Sequence, residues 1–334
     1  MRNTVFTLLC GYLFAIAALA QSGPAPRLLV LSKGDHTLAL VDPTTLKALA
    51  RMPSGPDPHE VIASSDGKFA YISNYGGGAY NTITPVDLVA QQSLKPIDLG
   101  ALRGPHGLDF AGGKLWFTAE IAKAIGSYDP SAKQVDWILG TGQNRTHMLM
   151  VRRDLSRIVT TNVASATISI IDHVKVPGPG NSTRMDWNET VVPVGHGAEG
   201  FDISPDAREI WVANAQDGTV SVVDSEKKAV VATISANVNG ANRLKFTPDG
   251  KLAVVSLIRS PDMVVLSAAD RKEVKRIPIG HGAEGVLMDP GGTRVFVSAT
   301  PDDYVAVIDL KTLTVTGRIE AGKQPDGLAW VAAQ

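Results

Sequence analysis

Only one cysteine, Cys10, occurs among the 334 residues. One Cys cannot make a disulfide framework. Charge of either sign is not in surplus: 32 Lys and Arg stand against 33 Asp and Glu, a formal net charge of −1. A general nucleic-acid binder needs a basic surplus or a basic face, so this balance argues against one. No long apolar run follows the first 20 residues, and helical periodicity is missing beyond them. Gly-Xaa-Ser-Xaa-Gly, the P-loop and the dinucleotide fingerprint are also missing, and Gly76-Gly77-Gly78 precedes no helix that would make it a phosphate loop. What is present is a 44% hydrophobic chain, enough for a large core, with 32 Gly and 20 Pro scattered along it. That combination points to many short elements joined by turns.

Residues 1–20 read as a secretory signal peptide. Arg2 gives the positive end, Val5 to Ala18 the apolar run, and Ala18-Leu19-Ala20 the small-residue cleavage site. Cleavage removes Cys10. Thiolate nucleophiles and c-type haem attachment are then excluded with the disulfides. The expectation is a soluble protein of residues 21–334, exported to a periplasm or beyond the cell, with no membrane span after cleavage.

The rest of the chain repeats itself. Ala207 to Asn214 with Asp217 to Asp224 has close copies at Phe69 to Asn74 with Ile83 to Asp87, Ile158 to Asn162 with Thr167 to Asp172, and Val295 to Ala299 with Tyr304 to Asp309. Weaker copies lie at Leu28 to Ser32, Lys114 to Ala119 and Leu252 to Leu257, each with its following run. Each copy has a turn such as Ser65-Asp66-Gly67, a β-branched run, a polar loop, a second run ending near Asp, and a final run. Four short antiparallel strands repeated seven times describe an all-β, seven-bladed β-propeller in a single domain. The N-terminal copy holds three strands and the C-terminus one more. The ring is therefore expected to be closed by one C-terminal inner strand and three N-terminal strands, which removes free edges.

Tyr71-Ile72-Ser73-Asn74, Val159-Thr160-Thr161-Asn162 and Trp211-Val212-Ala213-Asn214 resemble the YVTN β-propeller repeat family, over almost the whole mature chain. Ala119, Leu257, Ala299 and Ser32 depart from the motif where it has Asn. The resemblance implies the fold. For function it implies only a range, from surface-layer-like to lactonase-like proteins. The motif Asn residues read as caps across a turn.

Aligning the copies on the motif exposes a ring. The residue fifteen before each Asn position, thirteen in the second copy, is His59, His106, His147, Glu199, Asn242 or Glu284, and Asp326 takes this place in the closing blade. Seven polar residues then converge at one mouth of the central channel. His59, His106, His147 and Glu199 are the candidate ligands for a divalent metal. Asn242 and Asp326, with Arg145, Arg243, Glu120 and Tyr75, are candidate ligand-binding groups, and Lys323 is a further cation placed for an anion. His196 and His281, three residues before Glu199 and Glu284 in near-identical Gly-His-Gly-Ala-Glu-Gly segments, are candidate acid or base groups with Glu284. The alternative for the ring is water-filled packing, and for the duplicated segments simple repeat copying. Tyr75 to Asn81 forms a longer Gly-rich loop over the mouth, either a lid or an idle insertion. Val174 to Val192 is a Pro-Gly-rich insertion between two strands, placed at the rim. His36 and His173 read as ordinary surface or turn residues.

Three functions stay open on these residues. One is a monomeric envelope binding or scaffold protein, holding a metal or small ligand at the mouth with a protein partner at the rim. Another is a metal-dependent hydrolase or lyase, lactonase-like or uronide-lyase-like. The last is a haem- or quinone-type cofactor propeller.

Overall fold

The structure is a computed structural model and describes residues 26–332. The signal segment, residues 1–20, lies outside the described residues. Twenty-nine strands and four short 3-10 turns make up the fold, with no α-helix among the described residues. The strands form seven antiparallel sheets, and each sheet is a blade. The innermost strands, which define blades 1 to 7 in chain order, are Pro58–Ala63, Pro105–Ala111, Thr146–Val151, Ala198–Ile203, Ala241–Phe246, Ala283–Met288 and Pro325–Val331. Each inner strand neighbours the next, and Pro325–Val331 returns to Pro58–Ala63, so the circuit is closed. In blade 7 the C-terminal Pro325–Val331 pairs with Arg27–Ser32, followed by Thr37–Val41 and Ala48–Pro53.

Burial follows position within a blade. Second strands such as Glu209–Asn214 are buried on both faces, because a neighbouring blade covers each side. That is why their sequences read as continuous β-branched or aromatic runs. Trp211 and Val222 of blade 4 share one apolar cluster with Phe246 and Val255 of blade 5. Outer strands such as Gln134–Gly140 alternate exposed and half-buried residues.

The repeated Asp residues close the outer turns. Asp87 accepts from the Val89 and Ala90 amides at 2.9 and 2.8 Å, and Asp224 and Asp309 do the same in their blades. The motif Asn residues do more than cap a turn. Asn162 accepts from Thr146 and donates to Thr167 and Ser169, tying three strands together inside the blade.

Two local expectations are corrected. The fourth strand of blade 1 is split into Gln92–Ser93 and Ile97–Asp98, with Pro96 between them, which has no amide to donate. The Val174 to Val192 segment is not a loop insertion. Thr167–Pro177 and Thr183–Pro193 pair along their whole length, so it is one long hairpin. Trp187 anchors the hairpin against Trp116 and Trp137, and His173 stacks on Trp187 with ring centres 4.5 Å apart. His173 is therefore a packing residue of this hairpin.

One irregularity positions the site. In all seven blades the pairing of the inner strand with its neighbour slips at the second and third residues of the inner strand. A bulge there releases two residues from the ladder and re-aims their side chains. Hydroxyls of the second strand replace the lost bonds. Thr118 accepts from the Gly107 amide at 2.9 Å and donates to the His147 carbonyl of the next blade at 2.7 Å. Thr161 links Met148 to the Glu199 carbonyl, and Ser256 links Arg243 to that of Glu284. The second bulge residue, third in its strand, is Gly107, Gly200, Gly285 or Gly327 in four blades, where a Cβ would collide with the next blade's backbone.

Candidate functional site at the channel mouth

All seven ring residues occupy the second position of their inner strands: His59, His106, His147, Glu199, Asn242, Glu284 and Asp326. The repeated bulge brings them to one end of the channel. His106 lies between two other imidazoles, with ring centres 5.2 Å from His59 and 3.9 Å from His147. Tyr75 stands edge-on over His59 and His106, at 5.0 and 5.2 Å. The Gly-rich loop thus brings Tyr75 into the site, while Tyr80 folds back over Gly76.

A buried chain of ion pairs runs along this arc. Tyr75 donates to Glu120 at 2.5 Å, Glu120 bonds His147 Nδ1, and His147 Nε2 faces Glu199 at 2.9 Å. The last contact lies within ion-pair distance, but its angle leaves His147 Nε2 without a hydrogen bond. Arg145 lies 3.6 Å from Glu120 and 3.5 Å from Glu199. Burial opposes charge on His147, but Glu199 and Glu120 outweigh it and raise its pKa. Burial also works against Glu199, yet His147, Arg145 and Arg243 hold it down at about 2. His106 is driven well below the usual histidine value, first by burial and then by His147. The arc therefore sets a His106 that resists protonation beside a His147 that favours it, with the two rings tilted 36° to each other.

The opposite arc is acidic. Lys33 sits 3.6 Å from Glu284 and 3.3 Å from Asp326, and His59 lies 3.6 Å from Asp326. Burial and the neighbouring Asp326 carboxylate push Glu284 up to about 7, against the pull of Lys33. A carboxyl with a raised folded pKa binds its proton more tightly folded than unfolded. Its contribution to stability is present at low pH and is lost as pH rises from 4.5 through about 7. Glu284→Gln is therefore expected to be more stable than wild type above pH 7, by on the order of 2–4 kcal/mol. Urea unfolding at pH 5 and pH 8 checks this: the wild type should weaken across the interval by more than the variant, which loses only what other groups such as His147 contribute.

Behind the ring, Arg243 of blade 5 is ion-paired with Glu60 of blade 1. These blades are three steps apart, as far as two blades can be in a ring of seven, so the pair spans the bore. Both residues are third in their inner strands, inside the bulge, and Arg243 is buried.

The other expected residues fall in distinct places. Arg145, Glu120, Tyr75, Arg243, Asn242 and Asp326 all stand at or beside the ring. His196 and His281 are exposed at the rim. Each donates its backbone amide to an Asp of the following loop, Asp217 or Asp302, at 2.7 and 2.8 Å, and each imidazole leans on the same Asp. The duplicated segments thus build a repeated loop clamp. Lys323 is exposed, with its amide on Asp35, and Lys33 supplies the cation inside the site instead. The sequence signal for Lys33 was available. It follows the motif position directly, as Tyr75 and Glu120 do in the next two blades. Among the described residues no group of three or more His, Cys, Asp or Glu is arranged to hold a metal ion. His59, His106, His147 and Glu199 are brought together as a row of tilted rings and an ion-pair chain, and both nitrogens of His147 face carboxylates.

No family model and no curated protein matches the chain. Solved structures do match. A candidate 6-phosphogluconolactonase from Bacteroides uniformis superposes with a TM-score of 0.73 at 14% identity, over 92% of this chain and 99% of that one. A protein of unknown function from Desulfotomaculum acetoxidans gives a TM-score of 0.71 at 13% identity, over the same shares. Hydrazine synthase of Kuenenia stuttgartiensis gives 0.64 at 17%, over 81% of this chain and 89% of that one. At these identities the likeness shows the propeller fold alone, one shared with lactonase-like proteins.

Proposed function

We propose that this chain is an exported YVTN-type propeller that binds a small polar ligand in the cup at its channel mouth, in a binding or scaffold role in the cell envelope. One observation carries the reading. His106 Nδ1, His147 Nε2, Asn242 Oδ1 and Asp326 Oδ2 are buried without a hydrogen-bond partner, and all four belong to the ring. His147 Nε2 and Asp326 Oδ2 do face charges, Glu199 at 2.9 Å and Lys33 at 3.3 Å, but native proteins bury few polar atoms without hydrogen bonds, and His106 Nδ1 and Asn242 Oδ1 have neither, so the ring offers partners for a bound molecule. Export rests on the Arg2 to Ala20 segment.

A second reading, a hydrolase or lyase, has its own support. Glu284 at about 7 lies three blades from the Glu120–His147 pair, in which His147 is raised and Glu120 lowered. Two carboxyls pushed in opposite directions across one cup, Glu284 up and Glu120 down, are the pattern of an acid and a base. A divalent ion is the other occupant to test, with His106 Nδ1 as a donor and Asp326 Oδ2 as a second that it would have to share with Lys33, 3.3 Å away.

Thermal unfolding of untagged protein with lactones, uronic acids, neutral polyols and divalent ions tests the reading. At least one probe should raise Tm by several degrees. The rise should disappear in Asn242→Ala and Asp326→Asn. No shift with any probe, or equal shifts in both variants, removes the cup as a binding site. Turnover of a probe that depends on Glu284 moves the protein to the enzyme reading.

A further inference from the structure

We infer that a side pocket opening beside Glu199 is an anion subsite, taking the carboxylate or phosphate group of a small molecule whose uncharged remainder enters the cup. This rests on the cup being a binding site and adds the chemistry of its ligand. The pocket has a volume of about 240 Å³ and lies where loops of blades 3, 4 and 5 meet. Arg145 and Arg259 line it, with Gln216, Gly197, Gly240 and the ring residue Glu199.

Two guanidiniums make it electropositive. Arg259 has no ion pair or side-chain hydrogen bond among the described residues. Its stem lies across Gly240, where a Cβ would come within 3.1 Å of the Arg259 Cβ and Cγ atoms. Gly240 has a φ of 73°, so a side chain there would be strained as well as crowded. Arg145 projects from a left-handed position, φ 58°, and its contacts to Glu120 and Glu199, at 3.6 and 3.5 Å, are too long for strong charge-assisted bonds. Apart from the long bond from Nη2 to Glu199, its donors therefore remain available. Glu199 does not repel an incoming anion strongly, because His147 already faces it at 2.9 Å and Arg145 at 3.5 Å. Arg243 adds a third guanidinium that acts on Glu199 from within the bore. The far side of the cup is acidic, with Glu284 and Asp326 around Lys33. A molecule with its anion at blades 3 to 5 and hydroxyls or a carbonyl toward blades 6 and 7 matches both arcs.

Titration with inorganic phosphate and with acetate, followed by calorimetry and Tm, tests the subsite on the full chain. Wild type should bind one or both saturably, and Arg259→Gln should weaken that binding by about tenfold or more. Arg318→Gln, an exposed arginine elsewhere, should bind as wild type does. Binding of phosphate alone assigns a phosphoryl group; binding of acetate as well admits carboxylates. Absence of saturable binding to wild type, or equal affinity in Arg259→Gln, overturns the subsite. Arg259 is exposed, so the variant keeps its fold. Neutral-polyol binding that still depends on Asn242 would leave the cup standing while the anion subsite falls.

Discussion

Arg243→Met is expected to lower the unfolding free energy by about 3–5 kcal/mol, because it leaves Glu60 charged and unpaired in the bore. Arg243 and Glu60 come from blades 5 and 1 and meet inside the channel. Burial works against the charge of Arg243, and Glu60 followed by Asp326 keeps it charged. Methionine retains much of the stem and removes only the pairing group. The double variant Glu60→Gln with Arg243→Met should recover most of the loss, since replacing both partners of a buried pair is often neutral. Urea unfolding of the two single variants and the double variant gives the coupling directly. Additive losses would mean that the pair does not hold the bore together.

His147→Ala should cost a similar amount, about 3–5 kcal/mol near neutral pH. The His147 ring sits between Glu120 and Glu199, which favour its charged form, and its loss leaves Arg145 alone to balance two buried carboxylates. The pH dependence identifies the cause. Glu199 is depressed from 4.5 to about 2, so its stabilising contribution is present above 4.5 and lost as pH falls through about 2. His147 is raised above 6.5, so its contribution is full below 6.5 and lost as pH rises through the higher folded value. The penalty of His147→Ala is therefore expected to be largest between pH 4.5 and 6.5, and to shrink in more acid solution. A penalty that is flat with pH would point to lost packing against His106 instead.

Much of this molecule is readable from its residues. The seven blades follow from the repeated β-branched runs and turn residues, because a strand buried between two blades needs apolar side chains on both faces. The ring is legible for the same reason: a repeat preserves register, so one alignment finds His59 and Asp326 together. Less was legible where the contact crosses blades. Thr118 and Ser256 look like ordinary strand residues, yet each bonds the backbone of the next blade. Glu60 and Arg243 stand 183 positions apart, and only the closed ring makes them partners. For His196 and His281, the sequence spacing did not disclose the local clamp that each makes to an Asp twenty-one residues on.

The sequence by itself determined the all-β repeat, the number of blades and the set of polar residues at the inner strands, since these depend on local pattern and spacing. Only the tertiary structure decided what that set amounts to. The bulge at every inner strand aims the side chains inward, and ring closure sets the distances among them. Those distances fix which histidine is pushed toward charge and which carboxyl holds its proton more tightly. The near absence of cysteine and of net charge has its counterpart there: the chemistry of the mouth rests on balanced pairs of imidazole, carboxylate and guanidinium, a balance that exists only once the ring is closed.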